Sequence, residues 1–178
     1  MEPLQFELAR SEHAKSIENM RRLSAEDLTR KLGQGHWSGS GKLQSIRERI
    51  SCADPEHLRR LTLYVVTSGS VVVGSVALST FHPGFWRKSY WSDANAVALG
   101  TFNLVVMPDQ QRKGIGTFMM NEVEKLAQQH HIPFVRLDAY LDNPHSRSFY
   151  TAIGYSQRKI IDVRTVGLVL MEKQVLFD

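Results

Sequence analysis

Leu104-Val-Val-Met-Pro-Asp-Gln-Gln-Arg-Lys-Gly-Ile-Gly116 is an apolar, β-branched run that stops at Pro108, crosses a polar turn and ends on glycines 114 and 116. Helical periodicity starts directly behind it. Ile115, Met119, Val123 and Leu126 recur every three or four residues, while Thr117, Asn121, Glu124, Lys125 and Gln128 fall mostly elsewhere. This predicts an amphipathic helix ending near His130 or His131, because Pro133 cannot continue it. A strand, a glycine turn and a helix opening at that turn can bind an anion. The first amides of a helix lack intrahelical partners, and the helix dipole puts partial positive charge there. Glycines let backbone approach a ligand, and Arg112 and Lys113 add full charges. A phosphate or pyrophosphate fits such a turn; an ordinary strand–turn–helix connection would show glycines too.

Two familiar phosphate loops do not match. A dinucleotide fingerprint needs a third glycine where Met119 stands, and a Walker loop needs a lysine where Gly116-Thr117-Phe118 has none. The remaining pattern, Gln111-x-x-Gly114-x-Gly116, resembles the acyl-CoA pyrophosphate loop of the GNAT superfamily of N-acetyltransferases.

The 178 residues are 42% hydrophobic and 22% charged, the balance of one globular domain spanning 1–178 with a sizeable core. No apolar stretch approaches membrane-span length and no signal-peptide pattern opens the chain, so no membrane partner is expected. The single cysteine, Cys52, excludes an internal disulfide and points to a reducing, cytoplasmic setting. Net charge is +4, but the basic residues are scattered with no run of five or six. A cofactor rich in phosphate explains that balance better than nucleic acid does. No ligand cluster accompanies His36, so no metal is expected.

Along the chain, Leu4, Phe6 and Leu8 alternate as a first strand over residues 4–10. Ser11 reads as the N-cap of a helix through Ile17 and Met20, and Ser24 with Asp27 as a second helix start, leaving two helices or one kinked helix. Residues 33–41 hold four glycines and read as a loop, in which Trp37 either walls a pocket or pins the loop to the core. A short helix over Leu43, Ile46 and Ile50 precedes the clearest hairpin, residues 61–67 and 71–78 around Gly69. Phe81, Phe85, Trp86, Tyr90 and Trp91 make an aromatic segment that caps the core or faces a ligand or a second subunit. Strands from Val97 and over residues 134–141, a short helix opened by Asn143-Pro144 and closed by Gly154, and two last strands complete one α/β domain with a mixed sheet.

A second motif lies downstream. Asn143 is followed seven residues later by Tyr150, which precedes the Gly154-Tyr155 turn. This resembles the corresponding GNAT segment, and the order of elements over residues 61–175 agrees. The resemblance implies a GNAT fold: a mixed, mostly antiparallel sheet of about seven strands, splayed between strands 4 and 5 and flanked by helices. It implies acetyl-CoA as cofactor, its pantetheine pairing with backbone of Leu104, Val105 and Val106 as an added strand. Gln111, Arg112, Lys113, Gly114, Ile115, Gly116 and Thr117 would hold the pyrophosphate, and Asn143 the cofactor's arm.

The implied reaction is attack of a primary amine on a thioester. The amine must lose a proton first, and the departing thiolate gains one. By resemblance Tyr150 is the acid that protonates the CoA sulfur. Residues 97–107 carry no acid, Thr101 and Asn103 being their only polar side chains, so the glutamate many relatives place there is missing. Asp138, five residues before Asn143, stands where relatives acting on protein N-terminal amines carry an acid. It is either the base or a structural partner of Arg136, Arg147 or backbone groups. An amide near Val106 would hold the oxyanion.

Trp37 and Trp86 are the candidates for lining the acceptor pocket. The amine itself, whether a small molecule or a peptide N-terminus, and the acyl chain length are not legible. Homodimers are common among such relatives. The competing function is a catalytically silent, CoA-binding sensor or assembly module, against which Tyr150 and Asp138 speak.

Overall fold

The structure is a computed structural model that describes residues 2–33 and 42–177. Among the described residues, seven strands and four α-helices follow one another. They are β1 (Leu4–Leu8), α1 (Ala14–Leu32), α2 (Leu43–Ser51), β2 (Thr62–Ser68), β3 (Val71–Ser79), β4 (Ala98–Val106), α3 (Ile115–Gln129), β5 (Phe134–Tyr140), α4 (Pro144–Ala152), β6 (Ser156–Val163) and β7 (Val166–Gln174). The strands order β1-β2-β3-β4-β5-β7-β6. Pairing is antiparallel in β1/β2, β2/β3, β5/β7 and β6/β7, and parallel in β4/β5. The expected mixed, mostly antiparallel sheet is present.

The β4–β5 ladder joins Ala98–Thr101 to Phe134–Leu137; β4 continues to Val106 and β5 to Tyr140. Two residues past the last pair, Asn103 adopts φ +49°. A left-handed, non-glycine residue inside a strand bends it.

The chain falls into two compact units. The first comprises Met1–Leu78 and Asn103–Glu122. Its strands β2 and β3 read as nearly unbroken apolar runs because almost every residue is buried. Helix α3 meets β3 at Gly74 through Ile115 and Met119, each at most 1% exposed. Complete burial of such a side chain contributes about 1.5–3 kcal/mol. A Cβ on Gly74 of β3 would meet the Met119 methyl, the mobile end of that side chain. One continuous α1 replaces the two helix starts read from Ser11 and Ser24. Ser11–His13 form a 3-10 turn leading into it, with Arg10 rather than Ser11 at the cap position. Ser24 and Asp27 are buried inside the helix, and Asp27 accepts from Arg30 and Lys31. The first strand is also shorter than the residues 4–10 expected, ending at Leu8.

The second unit comprises Ser79–Phe102 and Val123–Asp178. Its core is organised by a buried ion pair. Arg136 of β5 donates from Nε to Glu172 of β7 at 2.7 Å, and both side chains are at most 4% exposed. Register places the two residues opposite each other. Glu172 also accepts from the Ser92 amide at 3.1 Å and from the Ser92 hydroxyl, and Arg136 donates to the Asp93 carbonyl at 2.7 Å. With hydrogen bonds on both partners, the pair avoids the penalty of a bare buried charge. It ties the aromatic segment to β5 and β7. Within that segment Trp86 and Trp91 are buried, whereas Phe81 and Phe85 are exposed.

Candidate functional site

The predicted site residues fall into two groups, one in each unit. The first group lies at the end of β4. The Met107 amide donates to Val73 O, and Pro108–Gln110 turn through a 3-10 bend closed by Gln110 N to Met107 O at 2.8 Å. Gln111 Nε2 donates back to Val106 O at 3.3 Å, and Lys113 Nζ to Gln110 Oε1 at 3.1 Å. Arg112 and Gly114 are both left-handed, at φ +62° and +81°. Such turns converge successive amides on one concavity. Phe118 N bonds to Gly114 O, making Gly114 the helix cap. The amides of Ile115, Gly116 and Thr117 then have no partner within α3. Nothing lies within 4 Å of where a Gly114 Cβ would stand. Residues 111–114 are exposed, Ile115 is buried as the first core contact of α3, and Leu104, Val105 and Val106 form the last residues of β4. The first turn of α3 thus opens beside the exposed side chains of Arg112 and Lys113.

The second group surrounds the end of β5. Asp138 is half-buried, and its Oδ2 accepts the indole N–H of Trp86 at 3.0 Å. Burial pushes its carboxyl up to about 6, a rise that the Trp86 hydrogen bond partly offsets. Of the structural partners considered for it, Arg136 is committed instead to Glu172 and the Asp93 carbonyl. Tyr150, in α4, is buried, and burial together with the Asp138 carboxylate holds its phenol well above the ordinary range. It is therefore fully protonated at neutral pH. Asn143 caps α4, its Oδ1 accepting from the Ser146 amide at 3.3 Å.

Tyr150 is fixed from behind. Its carbonyl accepts from Tyr155 N at 2.9 Å, and the two rings meet edge-on at 5.8 Å. Between them Gly154 takes φ +94°, which a side chain would strain. Tyr155 donates its hydroxyl to Glu124, whose carboxylate also receives Lys173 Nζ at 2.7 Å. Lys173 in turn donates to Ile153 O. Sequence reasoning found Tyr155 as part of a turn but missed Glu124 and Lys173. These lie 31 and 18 residues away from it, and no local pattern connects them. The Trp86–Asp138 bond, 52 residues apart, was missed in the same way. Trp86, expected to line the acceptor pocket, is 5% exposed and stacks on Phe102 at 5.1 Å. Trp37 lies outside the described residues. Among the described residues no cluster of metal-ligating side chains occurs, and no helix is long and apolar enough to cross a membrane.

Comparison with known proteins bears on the fold and the family. No curated relative matches the sequence. The structure resembles Ard1 from Thermoplasma volcanium, with 16% identity, a TM-score of 0.71 and coverage of 97% of this chain and 98% of the other. It resembles the PaiA N-acetyltransferase from Thermoplasma acidophilum in complex with coenzyme A at 17% identity and TM-score 0.71, covering 97% and 99%. It also resembles YncA from Salmonella typhimurium with its cofactor acetyl-CoA, at 14% identity and TM-score 0.65, covering 97% and 94%. Likenesses at this identity speak for the fold. The family model of the GNAT acetyltransferases matches residues 20–155, a span that holds both the glycine turn and Tyr150; the chain belongs to the acetyltransferase (GNAT) family, whose cosubstrate is acetyl-CoA.

Proposed function

We propose that the protein is an N-acetyltransferase that moves the acetyl group of acetyl-CoA to a primary amine, on a small molecule or a peptide N-terminus. The observation that carries this reading is the pairing of Asp138, with a carboxyl raised to about 6, and Tyr150, a phenol kept protonated, on neighbouring elements. One group can take a proton at neutral pH and the other can give one, which is what aminolysis of a thioester needs.

When bound, acetyl-CoA supplies the activated acyl group. Arg112 to Thr117 hold its diphosphate with backbone amides and two cationic side chains, and Gln111 braces the turn from Val106 O. The backbone of Leu104 to Val106 takes the pantetheine as an added strand, and Asn143 meets that arm. Asp138 accepts the ammonium proton, directly or through a water. The amine nitrogen attacks the thioester carbonyl, an amide near Val106 supports the oxyanion, and the C–S bond breaks as Tyr150 Oη gives its proton to the sulfur; the second proton shed by the nitrogen as the amide forms restores the Tyr150 hydroxyl through water. Asp138 returns the proton balance by passing its own to solvent.

A CoA-binding module without turnover is the competing reading. The deciding experiment supplies purified protein with acetyl-CoA and a panel of amines (amino acids, polyamines, aminoglycosides and peptides) and follows thiol release. Amine-dependent release supports the transferase. Tight CoA binding with no release across the panel supports the module.

A further inference from the structure

The aromatic segment ahead of β4 makes one bond to the reacting groups. Trp86 is 5% exposed, and its indole N–H points at Asp138 Oδ2. The ring is clamped: it stacks on Phe102 at 5.1 Å with 19° between planes, meets Trp91 edge-on at 5.3 Å and lies against His82 at 5.2 Å. Trp91 carries the Arg136 guanidinium 4.8 Å above its ring. Arg136 is locked by Glu172, which also holds Ser92. A continuous series of contacts thus runs from the ion pair through two tryptophans to the carboxylate. Clamped rotamers and satisfied partners are what hold a functional group to a productive geometry.

We propose that Trp86 is the positioning residue for Asp138: its indole N–H fixes the carboxylate and stabilises the ionised form, leaving Oδ1 to accept the substrate's proton. The inference rests on the role given to Asp138 above. An indole N–H can only donate, so the contact favours the carboxylate over the carboxylic acid and counteracts burial, which favours the acid. The other ionisable groups around Asp138 do not substitute for it. Arg136 and Glu172 neutralise each other. Tyr150 from α4 is a protonated phenol. Burial lowers the pKa of His82, and its contact with the Ala98 carbonyl only partly offsets this.

Two measurements test this. The first is the pH dependence of kcat/KM in Trp86→Phe, which keeps a ring between Phe102 and Trp91 but removes the donor. Loss of a hydrogen bond to a charged acceptor is expected to move the acid inflection up by about one pH unit. The loss of activity should then be about fivefold larger at pH 6 than at pH 8. A loss equal at all pH values, with the inflection unmoved, overturns the proposal. The second needs no Trp86 variant and decides alone if that one fails to fold. The Trp86 indole N–H resonance of the intact protein, followed by 1H–15N NMR from pH 4 to 8, should titrate with Asp138, and the titration should vanish in Asp138→Asn. An indole resonance that ignores both overturns the contact. If instead Asp138→Asn leaves the pH–rate profile untouched while the indole titrates, the base reading has failed and the contact stands.

Discussion

Replacing Asp138 with asparagine should slow the protein and make it more heat-stable at the same time. The carboxyl titrates at about 6 in the fold, against an ordinary 3.8. A group whose proton is held more tightly when folded lowers stability as pH rises from about 4 to about 6, and the deficit persists above that range. A rise of about two units corresponds to about 3 kcal/mol of stability lost by ionising Asp138 in place. Asparagine keeps the shape, offers Oδ1 to the Trp86 N–H and cannot ionise. Asp138→Asn is therefore expected to melt several degrees above the parent protein at pH 8, with the two converging toward pH 4. Turnover should fall by about 10²–10⁴-fold, the usual worth of a general base, and the acid limb of kcat/KM near pH 6 should disappear. The assays are thermal melts at pH 4, 6 and 8 and initial rates of thiol release from pH 5 to 9. Two results would refute the reasoning. One is an acid limb that survives in the variant; the other is an equal melting shift at pH 4 and pH 8, because neither follows from a carboxylate that titrates between them.

Tyr150→Phe should lower kcat by at least about tenfold, as loss of a general acid does, while CoA affinity measured by calorimetry stays close to that of the parent; full turnover in the variant removes Tyr150 from its role. Gly114→Val puts a β-branched residue at φ +81°, a strain of about 1–2 kcal/mol, and should abolish CoA binding with only a modest fall in Tm. Retained affinity would show that backbone approach at 114 is not used. Glu172→Gln leaves Arg136 uncompensated and should cost about 3–5 kcal/mol in urea unfolding, far more than an exposed pair such as Arg22–Glu26; a loss below about 1 kcal/mol would contradict the organising role given to it.

Much of the fold was legible because its signals are local. Period-two and period-four patterns, Pro108, Pro133 and Pro144, and the glycines at 69, 114 and 154 mark the elements on the chain itself. The conformation of the glycine turn was legible for the same reason: Pro108, Gly114 and Gly116 lie within nine residues of one another. The start of α1 was misread because Ser11, Ser24 and Asp27 are good cap residues by type. Burial of Ile17, Met20 and Ser24 on one face carried the helix straight through. Asp138 could be named but not understood. Its environment comes from Trp86, and that of Trp86 from Arg136 and Glu172, contacts that span 36 to 80 residues. The strand pattern did contain a trace of it. Arg136 and Asp138 lie two apart on β5, and so on one face, where apolar side chains would have been ordinary.

The most direct test of the account is a crystal structure of the protein with coenzyme A. It should show the diphosphate oxygens within hydrogen-bond distance of the amides of Arg112 to Thr117, and the CoA sulfur within reach of the Tyr150 hydroxyl. A turn left empty, or a thiol placed away from Tyr150, would contradict it.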